Sequence, residues 1–248
     1  MRRKIISLCL FILVLNVGYS QSGDHSLRAL IYDATEFTSG GIRHTFSDRS
    51  NLKIIGSVSL LTLGALSVDG KVMDYARSQG LLPADLSRFG DLYGGQWAHW
   101  TLLSAIAATG IAQGDSREKT LSRMGYAFLT LATNGVATDL LKRSVGRQRP
   151  DKSDRRSFPS GHTSHSFTVA TVFNELYGPK IGVPAYLVAA VVAVSRINDN
   201  KHYLSDVIFG AGLGTVIGRG FALQYRKQYL TVVQSTGDGL LLELSIPL

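Results

Sequence analysis

The chain has 248 residues, enough for one sizeable core, and nothing in its composition calls for two domains. Its single cysteine, Cys9, lies in an apolar run near the start, which excludes a disulfide framework and a cysteine-ligated metal in the remainder. The formal charge of +8 falls to an excess of five once Arg2, Arg3 and Lys4 are set aside. That mild surplus suits anionic phosphates or lipid headgroups, and nucleic acid is not the expected partner because Lys152, Arg155 and Arg156 alternate with Asp151 and Asp154.

In chain order, residues 1–20 read as a secretory signal peptide: a basic start, an apolar stretch from Ile5 to Val17, and the small residues of Gly18-Tyr19-Ser20 for cleavage. Residues 21–51 are polar and mixed and are expected to form a short amphipathic or irregular lead-in. A first apolar helix is predicted over 52–68, closed by Asp69-Gly70-Lys71, and a second over 97–112. The third starts near Ser116 or Thr120 and runs to the basic cluster, with Pro150 as its stop. A fourth begins at Ser160 and breaks at Tyr177-Gly178-Pro179, a fifth covers 183–194 and a sixth 207–225. The glycines of the sixth, at 210, 212, 214, 218 and 220, would let neighbouring helices approach closely.

The expected fold is therefore all-α, six helices over a domain from 52 to 230, followed by a C-terminal β appendage over 231–248. There Leu242, Leu244, Ile246 and Leu248 alternate with polar residues or proline, and Gly237-Asp238-Gly239 can turn a hairpin. As delimited here, no apolar run reaches the eighteen or so residues of a confident membrane span, and mean hydropathy is only +0.11. Two arrangements fit: a bundle of short or tilted helices in the bilayer, or a soluble periplasmic bundle. The membrane arrangement is the expectation, with the oligomeric state left open.

Three clusters carry the chemistry. Lys142 and Arg149 are seven apart and followed by Pro150; on a helix they share a face and could reach one phosphate, whereas Arg143 and Arg147 would point elsewhere, with Asp139 able to pair with Arg143. Pro159-Ser160-Gly161-His162 reads as a sharp turn into a helix. Ser160 is placed to cap it, Gly161 admits a close ligand, the free amides attract an anion, and His162 can act as general acid. His165, one turn on, receives no role. Ser195-Arg196 ends the fifth helix, and His202 opens the sixth with Asp206 four residues later. That spacing puts the carboxylate where it can take the Nδ1 proton and leave Nε2 as a nucleophile. The helix N-terminus opposes protonation of His202 and Asp206 favours it, with the balance open. His25, His44 and His99 are isolated in sequence and show no metal-ligand spacing.

Taken together, Lys-x₆-Arg-Pro, Pro-Ser-Gly-His and Ser-Arg-x₅-His-x₃-Asp, in this order, closely resemble the type 2 phosphatidic-acid phosphatase superfamily, which also includes bacterial acid phosphatases and vanadium haloperoxidases. The motifs cover residues 142–206. The resemblance implies the six-helix bundle of that family and a metal-free phosphatase acting through a phosphohistidine. It implies that His202 attacks phosphorus, that Asp206 orients it, and that His162 protonates the leaving alkoxide and then activates water. Lys142, Arg149, Ser160, Gly161 and Arg196 would hold the phosphate oxygens, with no cofactor. The expected substrate is a lipid phosphate or diphosphate such as phosphatidate, phosphatidylglycerophosphate, a polyprenyl diphosphate or a lipid A phosphate, met at an exported, membrane-associated site. A soluble periplasmic acid phosphatase of broad specificity and a vanadium-dependent haloperoxidase are the alternatives.

Overall fold

The computed structural model describes residues 27–233, and all regular structure among them is helical. In chain order the α-helices are α1 (Leu27–Ser47), α2 (Arg49–Leu66), α3 (Asp69–Gln79), α4 (Ala84–Leu92), α5 (Ala98–Ala112), α6 (Arg117–Val145), α7 (Gly161–Tyr177), α8 (Pro179–Asn198) and α9 (Leu204–Val233), with a π-helical turn over Tyr93–Trp97 joining α4 to α5. The all-α class is as expected. The count of six is not: α1 occupies the stretch read as a lead-in, and α3 and α4 fill the segment between the first two predicted helices. The expected β appendage is corrected at its start, since residues 231–233 belong to α9. The rest of that appendage and the signal peptide lie outside the described residues.

Local sequence accounts for the helix ends. Asp48 accepts from the amide of Asn51 at the start of α2, and Ser116 accepts from Lys119 at the start of α6, each satisfying an otherwise orphaned donor. Gly146, at φ 58°, ends α6 in the left-handed conformation with its amide on Lys142 O, a backbone state that glycine adopts without a Cβ penalty. Pro150 is therefore not the stop. Pro179 sits at the first position of α8, where its missing N–H costs nothing.

Helix α9 is the central element, packed on α7, α1 and α2. Its glycines make this possible on two faces. A Cβ on Gly210 would come to 2.7 Å from Ser160 O, and one on Gly218 to 2.7 Å from Thr171, both on or at the start of α7; one on Gly212 would come to 2.5 Å from Val58 of α2. Close helix contacts of this kind rest on small residues and on hydroxyls that bond across them. Ser164 donates to Asn134 at 2.6 Å, joining α7 to α6, and Thr168 donates to Ser164 O at 2.9 Å while lying 3.3 Å from Gly214 O. The main apolar core gathers Phe37, Leu102, Ile106, Tyr126, Val169 and Phe221. A second cluster of Met73, Ala76, Ala193, Ile197 and Val207 seats α3 between α8 and α9.

Two helices are long and apolar enough to cross a membrane, Pro179–Asn198 and Leu204–Gln228, and a third span is available if α2 and α3, bent by 68° at their junction, count as one. The expectation that no run is long enough fails because α8 runs on through Pro184 and α9 through its internal glycines, so both helices extend beyond the apolar runs read from sequence. Leu60, Leu61 and Leu63 of α2 are exposed, at 61% or more, as are Ile181, Val183 and Leu187 of α8, side chains suited to acyl chains as solvent. The chain is a membrane protein, and the ends of α6 and α8 meet the starts of α7 and α9 at one end of the bundle.

Candidate active site

At that end a cavity of about 340 Å³ is lined by Lys142, Arg149, Asp154, Arg156, Gly161, His162 and His202. Five of the eight residues singled out from sequence are thus on one wall or another of a single space, and the remaining three, Ser160, Arg196 and Asp206, are buried beside it. Lys142 reaches the cavity from the last turn of α6, where its Nζ donates to Arg156 O at 2.6 Å and Pro159 O at 2.7 Å. It thereby pins the loop that carries the turn into α7. Burial lowers the Lys142 ammonium to about 8, with Arg149 adding to the shift. Arg149 lies beyond Gly146 in the loop, not on α6, so the shared helix face expected for the pair does not exist. The loop folds back and delivers Arg149 to the cavity through Asp154, which accepts from its Nε at 2.7 Å.

Ser160 holds the N-cap position of α7, but its hydroxyl shares a hydrogen bond of 2.9 Å with Thr163 Oγ1 and does not cap an amide. Its own amide donates to Asp206 O at 3.0 Å, which stitches the start of α7 to the first turn of α9. Arg196 is 4% exposed; its Nη1 meets Asp91 Oδ1 at 2.5 Å and Asp199 Oδ2 at 3.4 Å, while its Nε is buried with no partner among the described residues. An orphaned charged donor at that depth is costly.

His202 is 2% exposed, and its Nδ1 faces Asp206 Oδ2 at 3.7 Å, the side expected, although longer than a hydrogen bond. Burial pushes His202 down to about 4, Lys142 and Arg149 push the same way, and Asp206 opposes them. Burial thus outweighs Asp206 and favours the neutral imidazole. His162 is likewise lowered to about 4, by burial first and by Arg196 next, with Asp91 opposing. His165 stacks edge-on with His99 at 5.5 Å.

Asp206 shows what the sequence reading missed. Its Oδ2 accepts from Ser157 Oγ at 2.5 Å and from the Tyr203 amide at 2.9 Å, and its Oδ1 accepts from Arg147 Nη1 at 2.7 Å. Arg147 also donates to Ser205 Oγ at 2.7 Å and Asp69 Oδ2 at 2.8 Å, and its guanidinium lies 4.1 Å from the Tyr203 ring centre. Arg147 therefore points at the site, contrary to the helical placement, because α6 stops before it. Arg143 does pair with Asp139, at 2.7 Å, as spacing suggested, and Asp139 also takes Arg156. Gly146 was the available signal for Arg147; Asp69 and Asp91 carried none, since each meets its partners only in the fold.

A helical membrane bundle whose loops and helix ends gather cations and two histidines about one cavity defines the class of protein. The profile of the PAP2 superfamily matches residues 123–230. A decaprenylphosphoryl-5-phosphoribose phosphatase of Mycobacterium tuberculosis is 34% identical over 142 residues, 54% of this chain and 73% of that protein. The chain belongs to the PAP2 superfamily. A lipid A 1-phosphatase of Porphyromonas gingivalis is 42% identical over 93 residues, 36% of this chain and 21% of that protein. Lipid phosphate phosphatase 2 of Arabidopsis thaliana is 32% identical over 145 residues, 41% of this chain and 50% of that protein. The chain thus spans between about a fifth and a half of the length of these two relatives. In fold it is similar to a transmembrane PAP2-type phosphatidylglycerolphosphate phosphatase from Bacillus subtilis, at TM-score 0.56 and 20% identity, covering 75% of this chain and 98% of that one.

Proposed function

We propose that this protein hydrolyses the phosphate ester of a membrane lipid through a phosphohistidine, on the extracytoplasmic side. The observation that carries the reading is the convergence of His202, His162, Lys142 and Arg149 on one cavity, with Asp206 behind His202. Phosphoryl transfer needs mainly positioning and positive charge on the equatorial oxygens. Lys142 and Arg149 supply that charge from the cavity wall, Arg196 offers its unpartnered Nε, and the first turn of α7 behind Ser160 and Gly161 offers amides.

In the first step the neutral Nε2 of His202 attacks phosphorus as the bond to the leaving oxygen breaks, and His162 gives that oxygen its proton. The Nδ1 proton of His202 faces Asp206, which carries the imidazolium charge that develops. In the second step His162 takes a proton from water, the water oxygen attacks the phosphohistidine, and inorganic phosphate leaves with His202 restored. No metal enters either step. The similar proteins named as lipid phosphatases, together with the apolar outer faces of α2 and α8, support a lipid as the substrate. Phosphate release from detergent-dispersed lipid phosphates is expected to survive EDTA and to be inhibited by vanadate. Full activity in His202→Asn would refute the assignment.

A further inference from the structure

We propose that Asp91 makes the site select phosphate monoesters, whose leaving group is an uncharged alcohol, over diphosphates; this rests on the phosphatase reading above and narrows its substrate class. Asp91 lies near the end of α4, which is fixed against α8: Ser87 donates to Asp199 at 2.6 Å, and a Cβ on Gly90 would come to 2.5 Å from Ser195 Oγ. That seating turns Asp91 toward the site, where its Oδ1 lies 3.3 Å from His162 Nε2 and 2.5 Å from Arg196 Nη1 while half of its side chain stays exposed.

An in-line displacement by His202 puts the leaving oxygen on the far side of phosphorus, within hydrogen-bond reach of the His162 nitrogen that protonates it. His162 Nε2 is flanked by Asp91 and by Gly95 of the π-helical turn, where a Cβ would come to 2.8 Å from it. A leaving group that takes its proton from Nε2 departs past a carboxylate and over a glycine. The cavity wall itself carries Lys142, Arg149 and Arg156 together with Asp154, and Asp91 stands outside it behind His162. Arg196, the cation in contact with Asp91, faces a second carboxylate as well, Asp199. An alcohol passes Asp91 without electrostatic cost. A leaving phosphate, carrying between one and two negative charges, is repelled there, by about five- to tenfold in rate for charges several ångströms apart at a partly exposed site.

The test compares a long-chain alkyl monophosphate with the diphosphate of the same alcohol, as kcat/KM in detergent micelles. The wild type is expected to prefer the monophosphate. Asp91→Asn should move the ratio about five- to tenfold toward the diphosphate by raising kcat/KM for the diphosphate itself, and Asp91→Glu, which keeps the charge, should hold the wild-type ratio. A shift made only by a fall in the monophosphate rate would mark lost support for His162 as acid and overturns the proposal. A purely structural role for Asp91 would depress both substrates alike and leave the ratio within twofold, which overturns the proposal. A wild-type preference for the diphosphate overturns it as well and decides the matter even if the asparagine variant does not fold. Phosphate release from neither substrate would instead sink the phosphatase reading itself, and this inference with it.

Discussion

Replacing Arg147 by Met probes the link between the fold and the nucleophile. Arg147 is 23% exposed and bridges two carboxylates, Asp69 at 5% and Asp206 at 0% side-chain exposure, at 2.8 and 2.7 Å. Methionine keeps most of the apolar stem and leaves both buried charges without their shared cation. Breaking such a pair typically costs about 3–5 kcal/mol. Part of that is recovered here, because Asp206 keeps Ser157 and the Tyr203 amide and Asp69 keeps the Ser205 amide and hydroxyl. The expected loss is therefore about 2–4 kcal/mol of stability. Activity should suffer separately, since Asp206 is freed to turn away from His202: kcat is expected to drop by at least tenfold with little change in KM, the mark of an interaction that matters in the transition state. Arg147→Lys can reach only one carboxylate at a time and should fall between the two. Thermal unfolding in detergent and steady-state kinetics on one preparation read both effects. Wild-type melting temperature and kcat in Arg147→Met would refute the idea that this guanidinium positions Asp206.

Acid should act in two opposed ways. Both His162 and His202 have folded values of about 4, below the ordinary value of about 6.5, so the unfolded chain binds more protons between those limits; stability present above about 6.5 is lost as pH falls toward 4. Over the same range the fraction of His162 able to donate a proton rises, so kcat/KM should increase as pH is lowered from neutrality until unfolding intervenes; a profile flat from about pH 5 to 8, measured with a denaturation curve at each point, would contradict this. In the bundle, a Cβ on Gly214 of α9 would lie 2.9 Å from the Thr168 amide, whereas one on Gly125 of α6 meets nothing within 4 Å. Gly214→Val should therefore destabilise by about 1–3 kcal/mol or more while Gly125→Ala is neutral or mildly stabilising, and equal melting temperatures for the two would count against the close α9–α7 contact.

What was legible in the sequence is what is local. The three clusters stand near helix ends marked by Pro150, Ser160 and the i,i+4 spacing of His202 and Asp206, so five of the seven cavity residues could be named before they were seen together. Long apolar periodicity located α2, α5, α6, α7, α8 and α9. Helices α1, α3 and α4 escaped because they are short or polar on much of their surface: α3 carries Asp69, Lys71, Asp74 and Arg77 in eleven residues. The error at Arg147 has one cause, the assumption that α6 continues to Pro150 when Gly146 already supplies the left-handed stop. Asp69 and Asp91 were illegible for a deeper reason. A carboxylate far away in sequence acquires meaning only from the helix packing that carries it to Arg147 or Arg196, and no spacing rule encodes that.

The central claim is that His202 takes the phosphoryl group. Rapid quench of the protein with a lipid substrate labelled in its phosphate tests it directly. The account predicts transient label on the protein, stable to alkali, labile to acid and absent from His202→Asn. Phosphate release within a single turnover with no labelled protein, or label that persists in His202→Asn, would contradict it.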